Sequence, residues 1–155
     1  MIYICAVLIG IVAGLRALLA PTIVSWGAAL GALNLAGTWL AFLGWRWTPW
    51  LFSVAAIGEL VNDKRATTPS RKIPPQFGVR IVAGALSGSA ITAAGGNPII
   101  GAGLGIVGAV IGTLGGASAR GALARALGSD LPAALFEDTI AIIGGFVVVF
   151  MLAGA

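Results

Sequence analysis

Apolar and polar positions along this chain fall into long blocks rather than short alternations. From Ile81 to Ala119 there are 39 residues without one charged side chain, interrupted only by Gly95-Gly96-Asn97-Pro98. A bilayer crossing takes about 20 apolar residues, so this stretch holds two crossings joined by a tight turn. Nothing alternates with period two and glycine recurs throughout, which argues against strands. The pattern predicts an all-α, polytopic transmembrane helical bundle of about six spans, near residues 2–20, 22–44, 48–63, 77–95, 98–117 and 130–153. Pro21 follows the first run, and Trp45-Arg46-Trp47-Thr48-Pro49 separates the second from the third. The polar segment Asn62 to Lys72, followed by Pro74-Pro75, is the longest break. Ser129-Asp130 ahead of Leu131-Pro132 supplies a capping side chain and a first-turn proline for the last helix. A five-helix arrangement, with residues 22–44 re-entrant or lying on the surface, fits the same pattern.

Composition strengthens the membrane assignment. Hydrophobic residues make up 59% and charged residues 9% of the 155, with a mean hydropathy of +1.04. A soluble domain carries roughly a quarter charged residues. The net charge of +4 comes from cations scattered at the ends of apolar runs, not from the solvated basic face that a nucleic-acid binder needs. Cys5 is the single cysteine and histidine is absent, so internal disulfides and ordinary zinc sites are excluded. No basic region precedes the first apolar run and Arg16 sits within it, so it reads as a retained helix and not a signal peptide.

Charge placement gives an orientation. With the 63–76 loop cytoplasmic, Arg16, Lys64, Arg65, Arg71, Lys72, Arg80, Arg120 and Arg125 lie on or toward that side and only Arg46 lies opposite. That is a strong positive-inside bias. The same layout gathers Tyr3, Trp45, Trp47 and Trp50 at the outer interface and turns both termini outward.

The two halves are alike in order. Ile11-Val12-Ala13-Gly14 recurs as Ile81-Val82-Ala83-Gly84, and Pro49-Trp50-Leu51-Phe52 answers Pro132-Ala133-Ala134-Leu135-Phe136. One transmembrane domain is therefore expected, with a first three-helix repeat in 1–63, a loop in 64–76 and a second repeat in 77–155. Three crossings per repeat force the second copy to insert inverted, a plan common among transporters. Glycines at four-residue spacing, among them Gly10/Gly14, Gly84/Gly88, Gly101/Gly105 and Gly108/Gly112/Gly116, line small faces that let helix backbones approach closely. The fifth helix has the fullest stripe and is expected at the centre.

The informative polar residues lie inside apolar runs. A charge within the bilayer costs roughly 2.5–3.5 kcal/mol on insertion scales, so such residues need partners, the bundle interior or the headgroups. Arg16, Glu59, Asp63, Arg80, Arg120, Glu137 and Asp138 all fall toward the cytoplasmic ends of their helices and form the candidate substrate-binding, ion-binding or ion-pair cluster. Glu137 and Asp138 are about 100° apart on a helix, and Glu137 is expected to face the bundle while Asp138 meets a neighbouring helix. Three interpretations fit the cluster: an ion-pair network locking helices together, a polar cavity for an ion, proton or small solute, or arginines gripping lipid phosphates. Lys64, Arg65, Arg71 and Lys72 are candidate headgroup contacts.

Three stretches together resemble a known family. They are Ala13-Gly14-Leu15-Arg16-Ala17; Gly58-Glu59-Leu60-Val61-Asn62-Asp63-Lys64 with Thr68-Pro69-Ser70-Arg71 and Pro74-Pro75-Gln76-Phe77-Gly78; and Pro132-Ala133-Ala134-Leu135-Phe136-Glu137-Asp138. The pattern is similar to that of the small bacterial inner-membrane proteins grouped as Domain of Unknown Function 4126. The resemblance implies a bacterial inner-membrane location and singles out Arg16, Glu59, Asp63, Lys64, Glu137 and Asp138. It implies no activity.

The expected function is a small transporter or channel for an ion or a small polar or anionic solute. The alternative is a structural or lipid-binding membrane protein, or a subunit of a membrane complex. No enzyme is expected, because histidine-dependent lipid hydrolysis and proteolysis lack their general base here, and no acidic motif suits magnesium and diphosphate. No cofactor or metal is expected. The expected partners are membrane lipids and a second copy in a homodimer, with no nucleic acid.

Overall fold

The computed structural model describes residues 1–62 and 73–153. Among these residues the protein is all-helical: α1 (Ile2–Leu15), α2 (Leu19–Ala29), α3 (Thr48–Asn62), α4 (Pro74–Ala93), α5 (Pro98–Leu127) and α6 (Asp130–Ala153), with a short 3-10 turn at Ala41–Gly44. Asp63, Lys64, Arg65, Arg71 and Lys72, and most of the loop assigned to the cytoplasm, lie outside the described residues.

Local chemistry explains most boundaries. The Asn97 side chain accepts the amides of Ile99 and Ile100, with Pro98 in the first turn of α5, so the hairpin between α4 and α5 forms as its sequence dictates. Gly128 ends α5 in the left-handed conformation at φ 68°, the usual glycine stop. α6 then begins at Asp130.

Three expectations are corrected. The helix over 22–44 ends at Ala29, and Gly31 (φ 80°) and Gly37 (φ 76°) reverse the chain where a helix cannot continue. α5 runs to Leu127, ten residues past the expected 117, because Arg120 and Arg125 are good helix formers that carry their charge away from the backbone. The central helix is α1, not α5. α1 packs against α2, α4, α5 and α6, whereas α5 leaves a face with Ile99, Val107, Ile111 and Leu114 exposed.

Contacts along the helices fix their directions. Gly10 meets Gly105, and Gly14 meets Gly112 and Thr113, so α1 and α5 run parallel. Gly84 and Gly88 meet Gly105 and Gly101, so α4 opposes α5. Gly145 faces Val12 and Ile23, and Gly27 faces Val149, so α2 follows α6 and doubles back along α1. Trp26 stacks edge-on against Trp50 at 5.1 Å, and Glu59 reaches the start of α2, so α3 opposes α2. The helices therefore alternate in direction. One end collects Tyr3, Trp39, Trp45, Trp47 and Trp50, and the other collects every described charge except Arg46.

Two helices, α5 and α6, are long and apolar enough to cross a membrane. α1 spans about 21 Å and α2 about 16 Å at roughly 1.5 Å per residue, short of a hydrocarbon core of about 30 Å. The paired helices of the two halves run in opposite directions but differ in length, with α2 at 11 residues and α5 at 30.

Candidate functional site

The charged residues meet at the turn between α1 and α2. Arg16 leaves α1 in an extended conformation (φ −140°, ψ 110°), and Ala17 and Leu18 reverse the chain. Pro21 does not break the helix here. It sits in the first turn of α2, where its missing N–H costs nothing. Each helix end exposes unpaired backbone groups and carries a partial charge, negative at the C-terminus and positive at the N-terminus.

Charged side chains from two other helices answer both ends. The Glu59 carboxylate on α3 accepts the Ala17 amide through Oε1 and the Leu18 amide through Oε2, each at 2.8 Å. Arg80 on α4 donates from Nη1 to the carbonyls of Gly14 and Leu15, each at 2.8 Å. The Thr113 hydroxyl on α5, which donates to the Ala109 carbonyl at 2.7 Å, also lies 3.3 Å from the Gly14 carbonyl. Arg80 Nη2 also lies 3.8 Å from Glu59 Oε1. An anion thus caps the start of α2 and a cation caps the end of α1, each with the sign that the helix dipole favours.

Arg16 points away from this pair, toward α6. Its Nε and Nη2 both lie 2.6 Å from Asp138 Oδ1, and Nη2 lies 3.9 Å from Glu137 Oε2. Glu137 in turn stands 3.6 Å from Arg120 Nη1. Arg120 holds Asp130 in a two-point pair, Nε to Oδ1 at 2.9 Å and Nη2 to Oδ2 at 2.6 Å. The two sets of contacts meet through the backbone of residues 14–18 and together touch all six helices.

Exposure grades this network. Arg16 and Arg80 are 0% and 1% exposed, Glu137 and Asp138 are buried, and the Asp130 side chain is 63% exposed. The structure therefore brings together Arg16, Glu59, Arg80, Arg120, Glu137 and Asp138 from the expected set, while Asp63 lies outside the described residues. Glu137 and Asp138 are both buried, and Asp138 meets Arg16 at the end of the neighbouring α1. The buried stripe on α6 is wide enough to hold both, with Asp138 against Arg16 and Glu137 between Arg120 and Arg16. Asp130 and Thr113 were missed. The first carried a partial signal, because Asp130 follows the Gly128-Ser129 turn that folds α6 back along α5, where Arg120 lies about two turns before the end of the helix. The second carries no signal apart from its place on the glycine face.

Three guanidiniums here face four carboxylates. Arg16, Arg80 and Arg120, expected as contacts for an anion, each lie against a carboxylate or a backbone carbonyl in this structure. Two grooves touch the network from outside. One, of about 290 Å³, runs past Ala17, Glu59 and Gln76. The other, of about 440 Å³, lies between α5 and α6 beside Arg120, Phe136 and Glu137. No group of three or more histidine, cysteine, aspartate or glutamate side chains suited to a metal occurs among the described residues. A hollow of about 760 Å³ at the aromatic end, lined by Asn34, Phe42 and Trp45 among others, stands apart from the charges. The chain matches no protein-family model, no curated protein and no solved structure.

Proposed function

We propose that this is a multi-pass membrane protein of structural or lipid-binding kind, whose charged centre is a clasp that holds a helical hairpin closed. The observation that carries this reading is the use of each buried charge. Arg80 and Glu59 are spent on the backbone ends of α1 and α2, and Arg16 is spent on Asp138. Groups bound this way offer little to a solute. Membrane residence is supported by α5 and α6 and by aliphatic side chains exposed on several helices, such as Ile4, Val54, Val82, Ile111 and Ile143. Soluble monomers rarely leave so much contiguous apolar surface bare. The cation bias supports a charged end facing the cytoplasm of a bacterial inner membrane.

Reconstitution tests it. In proteoliposomes loaded with a pH-sensitive or potassium-sensitive dye, the protein is expected to give no flux above protein-free vesicles. Flux that vanishes in Glu59→Gln or Glu137→Gln, with both variants folded, would contradict the clasp.

Transport is the second reading, favoured by the open groove that reaches Glu59 past Ala17 and Gln76. In that reading two inverted three-helix units, paired in a homodimer, carry a proton or cation along the carboxylates. The same flux measurement separates the two.

A further inference from the structure

α6 is a ruler for depth. Its 24 residues from Asp130 to Ala153 span about 36 Å, which fits one crossing of a hydrocarbon core of about 30 Å. Its first residue is wet, since the Asp130 side chain is 63% exposed. Asp138 follows eight residues later on the same helix, about 12 Å inside that end. Between them Leu131, Leu135 and Phe136 are exposed, and side chains of that size and kind belong against hydrocarbon. Asp138 holds Arg16, so the turn at Arg16–Leu18 shares its depth. The aromatic end gives the same answer. Glu59 lies nine residues after Trp50 on α3, about 14 Å along the helix and well short of a full crossing.

Charge and irregular backbone at such a depth are tolerated where they are buried in protein or face a water-filled cavity. Arg16, Arg80, Glu137 and Asp138 are buried. Glu59 differs, with 13% of its side chain exposed on a groove of about 290 Å³. Ala17 and Leu18 line the groove at the turn, and Pro75 and Gln76 line it in the first turn of α4. α4 has no side-chain cap, and its first amide bonded within the helix is that of Phe77, to Ile73. The Gln76 amide therefore has no partner in its own helix. Each carboxylate oxygen has two acceptor sites, and Glu59 Oε2 takes the Leu18 amide at one of them. Carboxylate, side-chain amide and backbone amide give a held water the two to four partners it needs, and at about 30 Å³ per water the groove has room for several.

We infer that the groove past Ala17, Glu59 and Gln76 is a water-filled vestibule, leading from the cytoplasmic surface to a charged turn that lies inside the hydrocarbon layer. The inference rests on the membrane reading above and adds that its charged centre is sunk below the surface and wetted from one side.

Thiol modification of the full chain in inverted bacterial membrane vesicles tests it, with a membrane-impermeant methanethiosulfonate and a Cys5→Ala background that removes the single cysteine. Ala17→Cys and Gln76→Cys are expected to react at least tenfold faster than Leu135→Cys, which stands about one turn from Asp138 on the exposed side of α6. Leu18→Cys takes the place of Ala17→Cys if gel filtration in detergent shows the latter unfolded. Fast reaction at Leu135→Cys would put the edge of the membrane at the turn and overturn the depth. Protection of the folded variants at the turn would overturn the vestibule, even with Gln76→Cys reactive, because water would then stop at the mouth. A parent protein that leaves the membrane fraction in alkaline carbonate would sink the membrane reading. A parent that stays there while the turn is protected sinks the vestibule alone.

Discussion

The glycine seam between α1, α4 and α5 and the charged turn at Arg16–Leu18 join the same helices by opposite means. Along the seam no side chain intervenes. A Cβ on Gly105 would collide with the Gly84 carbonyl, and one on Gly112 with the Ile11 carbonyl. At the turn, by contrast, long side chains reach across from α3, α4, α5 and α6 to finish helix ends and each other. In lipid, apolar side chains gain nothing by leaving one another's company for hydrocarbon, so helices cohere through close packing and polar contacts. The seam uses the first and the turn the second. Arg80 ties the two together, since the Gly14 carbonyl it caps belongs to a residue of the seam.

Substitutions that break one region and spare the other sharpen this contrast. The largest effect is expected for Asp138→Ala, which leaves Arg16 buried beside fewer acceptors. Loss of one partner from a buried pair costs about 3–5 kcal/mol, read as a lower midpoint in denaturant titration of the protein in micelles. Next comes Gly105→Ala. Overpacking at a tight contact costs about 1–3 kcal/mol, whereas Gly103→Ala, whose Cβ meets nothing within 4 Å, is expected to leave the midpoint unchanged or raise it. Glu59→Gln removes the anion at the start of α2 and is expected to cost about 1 kcal/mol. The smallest change is expected for Asp130→Asn, below about 1 kcal/mol, because an exposed ion pair is screened by water. A ranking with Asp130 above Asp138 would mean that burial does not govern the network.

Much of this architecture was legible. The Asn97-Pro98 start, the all-helical class and the gathering of charges at one end follow from short-range chemistry and from the cost of burying charge. The boundaries that misled depend on longer-range effects. Pro21 marks the beginning of α2 rather than the end of α1, since proline suits a first turn as well as it ends a helix. Gly31 lies just past the end of the shortened helix, but its four-residue spacing from Gly27 is also that of a packing face, and sequence alone does not separate a positive φ from a close contact. The arginines on α5 looked like a membrane boundary, yet the helix passes through them to Leu127. Six residues of the candidate cluster were identifiable as misplaced charges. Their roles were not, because the groups that Glu59 and Arg80 satisfy are backbone amides and carbonyls, which every residue carries.

The clasp is tested most directly by a double-mutant cycle on Arg16→Met and Asp138→Leu, followed by unfolding in micelles. Each single replacement is expected to lose about 3–5 kcal/mol, and the double replacement to recover most of that loss, because an apolar pair of similar volume replaces a buried ion pair at little cost. Single variants as stable as the parent, or losses that simply add, would mean that Arg16 and Asp138 do not hold each other, and the clasp would be wrong.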